Sequence, residues 1–110
     1  MEGLEGAAGT HPIVDRLMMF SKRDTEVVVD KNISTILVAG ANIVLNVNHN
    51  YGYINVCGAN CKVIVQTNYK NAVCEDQGAR NEIIVQDYSD QEYNGYLNVV
   101  PVEIQVNGNR

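Results

Sequence analysis

Residues 36–48 read "ILVAGANIVLNVN" and residues 54–66 read "INVCGANCKVIVQ", nearly the same sentence 18 positions apart. Self-similarity at a fixed period marks repeat architectures, so the fold turns on how far the repetition extends and which way its side chains point. Four segments align in one series: "VVVD" from Val27, "LNVN" from Leu45, "VIVQ" from Val63 and "IIVQ" from Ile83, in steps of 18, 18 and 20. A second series runs "ILVAGAN" from Ile36, "INVCGAN" from Ile54 and "AVCEDQGAR" from Ala72, each 18 on from the last. A two-residue insertion at Asp76 and Gln77 accounts for the longer final step of the first series.

Residues two apart in a strand share a face. In the first series those pairs are Val27/Val29, Leu45/Val47, Val63/Val65 and Ile83/Val85, and each group closes on a polar residue: Asp30, Asn48, Gln66 or Gln86. In the second series they are Ile36/Val38, Ile54/Val56 and Ala72/Cys74. Stacked coil on coil, these pairs describe one continuous core. Strands this short, repeating too closely for crossover helices, imply a β-solenoid. A meander of hairpins would instead need tight-turn signals such as Asn-Gly between strands.

The corners are constant. Asn32, Asn50 and Asn68 fall in register as an asparagine ladder would, and Ile33, Tyr51 and Tyr69 follow them as a second stack. Gly40, Gly58 and Gly78, each followed by alanine, mark the other corner, where positive φ or close backbone packing favours glycine. The two strand series are offset by nine residues, which the six-residue strand spacing of a left-handed hexapeptide solenoid does not divide. The expected fold is therefore all-β: a short right-handed parallel β-helix of about four 18-residue coils.

The "VxGAN" corner between alternating apolar strands resembles small β-helix domains such as bacterial repeats of the Gly-Ser-Asn-Asn-Thr-Val type. "INVCGANCKVIV" is similar to coils of the cyclase-associated-protein and tubulin-cofactor-C group. The resemblance spans residues 25–86 and is structural; it implies a scaffold or binding module. The Gln-x-Arg-x-Arg run that the cofactor-C group uses towards GTPases is absent, so it implies no GTPase-activating role.

The chain has 110 residues, a net charge of -5 and a pI near 4.8. That balance argues against nucleic acid, which needs a basic stripe, and against anionic membrane surfaces. The first twenty residues lack a basic leader with an apolar run, so an intracellular, cytoplasmic address is the expectation. An odd set of cysteines, Cys57, Cys61 and Cys74, fits reduced thiols better than a disulfide framework. Asn32-Ile33-Ser34 matches a glycosylation sequon, read here as chance in the absence of a secretory route.

The expected organisation is a flexible leader over residues 1–9 and one β-helix domain over residues 10–110. Within it, residues 10–22 read as a cap helix, with Thr10 as N-cap, Pro12 in the first turn, and Ile13, Leu17 and Phe20 on one face beside Val14 and Met18. Such a helix either closes the first coil or offers Met18 and Met19 to a partner. Residues 25–86 are the regular coils, residues 87–96 an inserted loop, and residues 97–110 a terminal coil or hairpin with Pro101 at an edge.

No constellation points to catalysis. With only His11 and His49, general bases are few, and no Gly-rich phosphate loop is present. Cys57, Cys61 and His49 lie close in sequence, but a structural zinc needs four convergent ligands; Cys74 reads as a small core residue and the other two as corner residues, so neither metal nor cofactor is expected. Two surfaces remain. Between the inward residues, Val28, Ile64 and Ile84 form an apolar stripe on one outer face, with Leu37 and Val73 on another. The chain's own ends could cover such a stripe; otherwise it suits another protein or a second copy of this chain. Alternatively Tyr51, Tyr53 and Tyr69, with Asp87, Asp90 and Glu92, would make a carbohydrate or small-ligand site. The leading expectation is a non-enzymatic interaction or scaffold module that could dimerise through an outer sheet face or an edge strand.

Overall fold

The computed structural model describes residues 3–91. Short strands β1 (Gly3–Glu5), β3 (Leu17–Phe20), β5 (Thr35–Val38), β7 (Tyr53–Val56) and β9 (Val73–Asp76) form sheet A, in the order β1-β3-β5-β7-β9. Longer strands β2 (Gly9–Val14), β4 (Glu26–Asn32), β6 (Val44–Asn50), β8 (Lys62–Asn68) and β10 (Glu82–Tyr88) form sheet B, in the order β10-β8-β6-β4-β2. Every pairing is parallel and consecutive strands alternate between the sheets. The chain thus winds as a parallel β-solenoid of about four coils. A short third side carries single bridges from Ala41 to Ala59 and from Ala59 to Ala79.

The inward ranks follow the period-2 pattern. Val27, Val29, Leu45, Val47, Val63 and Val65 from sheet B meet Ile36, Val38, Ile54 and Val56 from sheet A, and all are buried. Ile43 and Cys61 complete the bore from the third side, so Cys61 is a core residue rather than a corner one. A fully buried aliphatic side chain contributes about 1.5–3 kcal/mol, which makes this column the main source of stability. At the bend after sheet B the asparagines stack inside. Asn32 Nδ2 donates to Asn50 Oδ1 at 2.9 Å and Asn50 Nδ2 to Asn68 Oδ1 at 2.8 Å. The same oxygens cap the turn, since Ser34 N donates to Asn32 Oδ1 at 3.1 Å and Gly52 N to Asn50 Oδ1 at 3.2 Å.

The opposite corner separates two requirements that glycine alone left joined. Gly40, Gly58 and Gly78 do not have positive φ; instead, a Cβ on Gly58 would run into the carbonyl of Gly40, and one on Gly78 into that of Gly58. The left-handed residues are two positions further on: Asn42, Asn60 and Arg80, at φ near 57–58°. Asparagine tolerates that region better than most residues.

Three stretches of the chain depart from expectation. Residues 10–22 are not a helix: β2 and β3 continue both sheets, with Thr10 paired to Val28 and Phe20 to Val38. The ladder to β4 and β5 outweighs the local helix-start signals, because a strand there extends an existing core. Pro12 is tolerated because it takes the rank of Asp30, Asn48, Gln66 and Gln86, which lacks a register partner in these strands. Nor is the leader a free tail throughout, since β1 pairs with β3 and Gly9 opens β2.

Second, the two-residue insertion sits at the corner after Asn68, not at Asp76 and Gln77. Asn50 still pairs with Asn68, a step of 18, whereas Tyr53 already pairs with Val73, a step of 20. The turn through Lys70 and Asn71, with Asn71 at φ 71°, absorbs the extra residues. Cys74 therefore occupies the rank of Ile36 and Ile54, and Ala72 lies at the corner, outside the core pair expected of it. Third, Asp87 and Tyr88 are not loop: β10 carries them on, paired to Thr67 and Asn68. The rest of the inserted loop beyond Gln91, and the terminal coil or hairpin, lie outside the described residues.

Candidate functional site

The outer face of sheet B brings Val28, Ile64 and Ile84 into one rank, with Asn46 between the first two. The four are directly registered from strand to strand, and each is half-buried. The next rank is Glu26, Val44, Lys62 and Glu82, which adds Val44 to the apolar surface and charges around it. Val44 was legible from the same alternation two positions before Asn46, but the four-residue repeat unit began one residue too late to include it. On the far side of the stripe lie Asp30 and Asn48, joined by a 3.0 Å bond from Asn48 Nδ2 to Asp30 Oδ1. Lys31 Nζ, 2.7 Å from Asp30 Oδ2, and the Asn48 amide hold the Asp30 carboxyl below the usual aspartate range.

Sheet A does not carry its expected partner stripe. The displaced insertion places Val73 beside Tyr53 and Thr35, and Glu75 in the rank of Leu37 and Asn55. Leu37 instead neighbours Met19, which is 37% exposed, while Met18 turns inwards against the core. The apolar part of this face therefore lies at its amino-terminal end. Asn55 interrupts it; its Nδ2 donates to Gln77 Oε1 at 3.0 Å, and its buried Oδ1 has no partner among the described residues.

The aromatic site is assembled only in part. Tyr51 and Tyr69 stack across adjacent coils with centroids 4.0 Å apart, and the sequence did not mark His49 as their third member. Its Nδ1 lies 2.8 Å from the Tyr69 hydroxyl and its ring 6.4 Å from that of Tyr51. Burial, then the hydrogen bond with Tyr69, pushes the Tyr51 hydroxyl well above the ordinary tyrosine range. Tyr53 lies on the other side of the corner, donating its hydroxyl to Glu75 Oε1 at 2.7 Å. Tyr69 and Asp90 line one open concavity of about 600 Å³ with Lys70, Asn71 and Ser89. Asp87 stands apart, in the outward rank of Lys31, His49 and Thr67, and Glu92 lies outside the described residues.

Among the described residues no group of three or more His, Cys, Asp or Glu side chains converges as metal ligands. Cys57 is exposed, Cys61 buried and Cys74 half-buried, and all three are free thiols. No helix among the described residues is long and apolar enough to cross a membrane. No protein-family model matches the chain, and comparison with curated proteins and with solved structures gives no match. The resemblances to the two β-helix groups thus rest on the quoted residues alone.

Proposed function

We propose that the chain is a non-enzymatic protein-interaction or scaffold module, wound right-handed as the nine-residue strand offset favours, whose working surface is the outer face of sheet B. One observation carries this reading: Val28, Val44, Ile64 and Ile84 form an apolar patch on a regular sheet, with Asn46 set between Val28 and Ile64 and Glu26, Lys62, Glu82, Asp30 and Asn48 around it. An apolar centre within a polar rim is the anatomy of a protein interface. Residues fixed by strands on both sides are pre-organised, so little side-chain ordering opposes binding. The partner is another protein or a second copy of this chain.

The ligand-binding alternative is favoured by one feature, the approach of Asp90, Ser89 and Lys70 to Tyr69 in one concavity. Against it, Tyr51 and Tyr69 spend a ring face on each other, where a sugar would need that face free. The test compares wild type with an Ile64→Gln/Ile84→Gln variant, both confirmed folded, in light scattering across concentration and in affinity capture. Loss of a dimer or of a captured partner in the variant supports the sheet B surface. Unchanged mass and partners would move the search to the Tyr69 concavity, where Tyr69→Ala is the matching change.

A further inference from the structure

The corner after sheet B gathers three side chains whose chemistry the interaction surface leaves unused. Tyr51 and Tyr69 follow directly on the asparagine ladder, and their backbones are tied coil to coil. Tyr51 N donates to Asn32 O at 2.8 Å and Tyr69 N to Asn50 O at 3.0 Å. That register sets ring on ring, with centroids 4.0 Å apart and planes within 17° of parallel. His49, two residues before Tyr51, brings Nδ1 to 2.8 Å from the Tyr69 hydroxyl. With the imidazole neutral and its proton on Nε2, Nδ1 accepts from the Tyr69 O–H. The Tyr69 oxygen is then left to accept from the Tyr51 hydroxyl. All three side chains are half-buried, so a small solute reaches the ring edges while the stack keeps its form.

This arrangement favours removal of an electron from Tyr69. An oxidised phenol is a strong acid, and its oxidation is easiest when the hydroxyl proton can pass at once to a base already hydrogen-bonded to it. No tryptophan competes anywhere in the chain. Of the other described tyrosines, Tyr53 donates to Glu75 Oε1, a weaker base than imidazole, and Tyr88 is 71% exposed. We propose that Tyr51 and Tyr69 are a site of oxidative cross-linking, closed by two equivalents of a small one-electron oxidant such as a high-valent metal complex or a peroxide-derived radical. The first oxidation takes an electron from Tyr69 while its proton moves to His49 Nδ1. The second takes an electron from Tyr51, whose proton leaves to water. The two phenoxyl radicals, already face to face, form one carbon–carbon bond between the ring positions beside their oxygens. The ring hydrogens displaced there move to the oxygens and restore both phenols, so the net loss is two electrons and two protons. The product is a dityrosine that ties adjacent coils together, in a chain whose described cysteines are all free thiols.

The test uses the full-length chain at low concentration, its accessible thiols first capped with N-ethylmaleimide so that they do not consume the oxidant. Photogenerated ruthenium(III) tris-bipyridine is the probe, and dityrosine fluorescence follows the rate. Trypsin cuts after Lys62, between the two tyrosines, so mass spectrometry reads the cross-link as a joined pair of peptides. The expected main product is a Tyr51–Tyr69 link at monomer mass, absent from Tyr51→Phe. His49→Gln, which keeps a hydrogen-bond acceptor but no base, should slow its formation about tenfold or more. Wild type should also slow as pH falls through the imidazole range, since a protonated ring cannot take the proton, while His49→Gln stays flat there. The titratable groups facing that ring are Asp30 and Lys31 of β4 and the two tyrosines, so His49 is the one imidazole in the cluster. Should His49→Gln fail to fold by circular dichroism, His49→Thr, matching the residue β8 carries in the same rank, gives the same comparison. A wild-type chain that forms no Tyr51–Tyr69 link, or forms it no faster than links through Tyr53 or Tyr88, overturns the proposal. So does a His49→Gln rate and pH profile equal to wild type.

Discussion

At the scale of single residues, the glycine corner shows how a repeat constrains its own sequence. The peptide at Gly58 touches the coils on both sides: Ala59 N donates to Gly40 O at 3.1 Å, and Ala79 N donates to Gly58 O at 3.1 Å. The constraint is steric contact between backbones, because a Cβ at Gly58 would enter the Gly40 carbonyl, and a carbonyl tied into a ladder has nowhere to retreat. Gly58→Ala should therefore cost about 3 kcal/mol or more, as overpacking against fixed backbone does. Gly9, with φ 108° and open space where a Cβ would point, supplies the contrast. There alanine is opposed only by backbone conformation, so Gly9→Ala should cost less. Urea unfolding of the two variants decides it: equal losses would mean that inter-coil contact is not what the Gly58 position selects.

At the scale of elements, strands β4 to β8 were legible because each inward pair is aliphatic and recurs at a fixed step. The first coil was not. Its inward rank begins with Gly9 and His11 where later coils carry valine or leucine, and Val14 stands in the rank of Asn32. Stripped of those markers, the stretch kept only Thr10, Pro12 and Asp15, which also suit a helix start. The displaced insertion has a similar cause: both placements keep Gly78 in register with Gly58, and only the neighbours of Cys74 choose between them. That choice moved Val73 out of the expected stripe, so the sheet B half of the candidate surface was readable and the sheet A half was not. The asparagine ladder was readable and makes a graded prediction. Asn50 bonds to Asn32, Asn68 and Gly52 N, whereas Asn68 bonds to Asn50 on one side and, through its amide, to Ala72 O at 3.2 Å. Asn50→Ala leaves more buried groups without a partner, so it should cost about 2–4 kcal/mol against about 1–2 for Asn68→Ala. Thermal or urea unfolding with equal losses would show that each asparagine acts only through its own turn.

At the scale of the whole molecule, a solenoid buries each rung against its neighbours alone, so the interior is secure and the ends carry the hazard. Strands β1 and β2 present parallel edges that would accept another strand, and unpaired edges invite association between chains. Phe20, His11, Gly6 and Val14 close the bore beneath those edges, and Ser21 is tied back to Glu5 by bonds of 2.8 and 3.0 Å that hold β1 across the end. The Phe20 ring is thus the part that turns an open stack into a finished one. Phe20→Ser should leave the rungs from β4 onwards folded, because Val27, Val29, Ile36 and Val38 are covered by the following coil as well as by the plug. It should, however, loosen β1 and β2 and expose an apolar, strand-accepting end. The expected result is a β-rich circular dichroism spectrum close to wild type, with a mass in light scattering that rises with concentration. A variant that unfolds outright would show that the plug belongs to the cooperative core, and one that keeps wild-type mass at every concentration would show that this end is guarded by something other than Phe20.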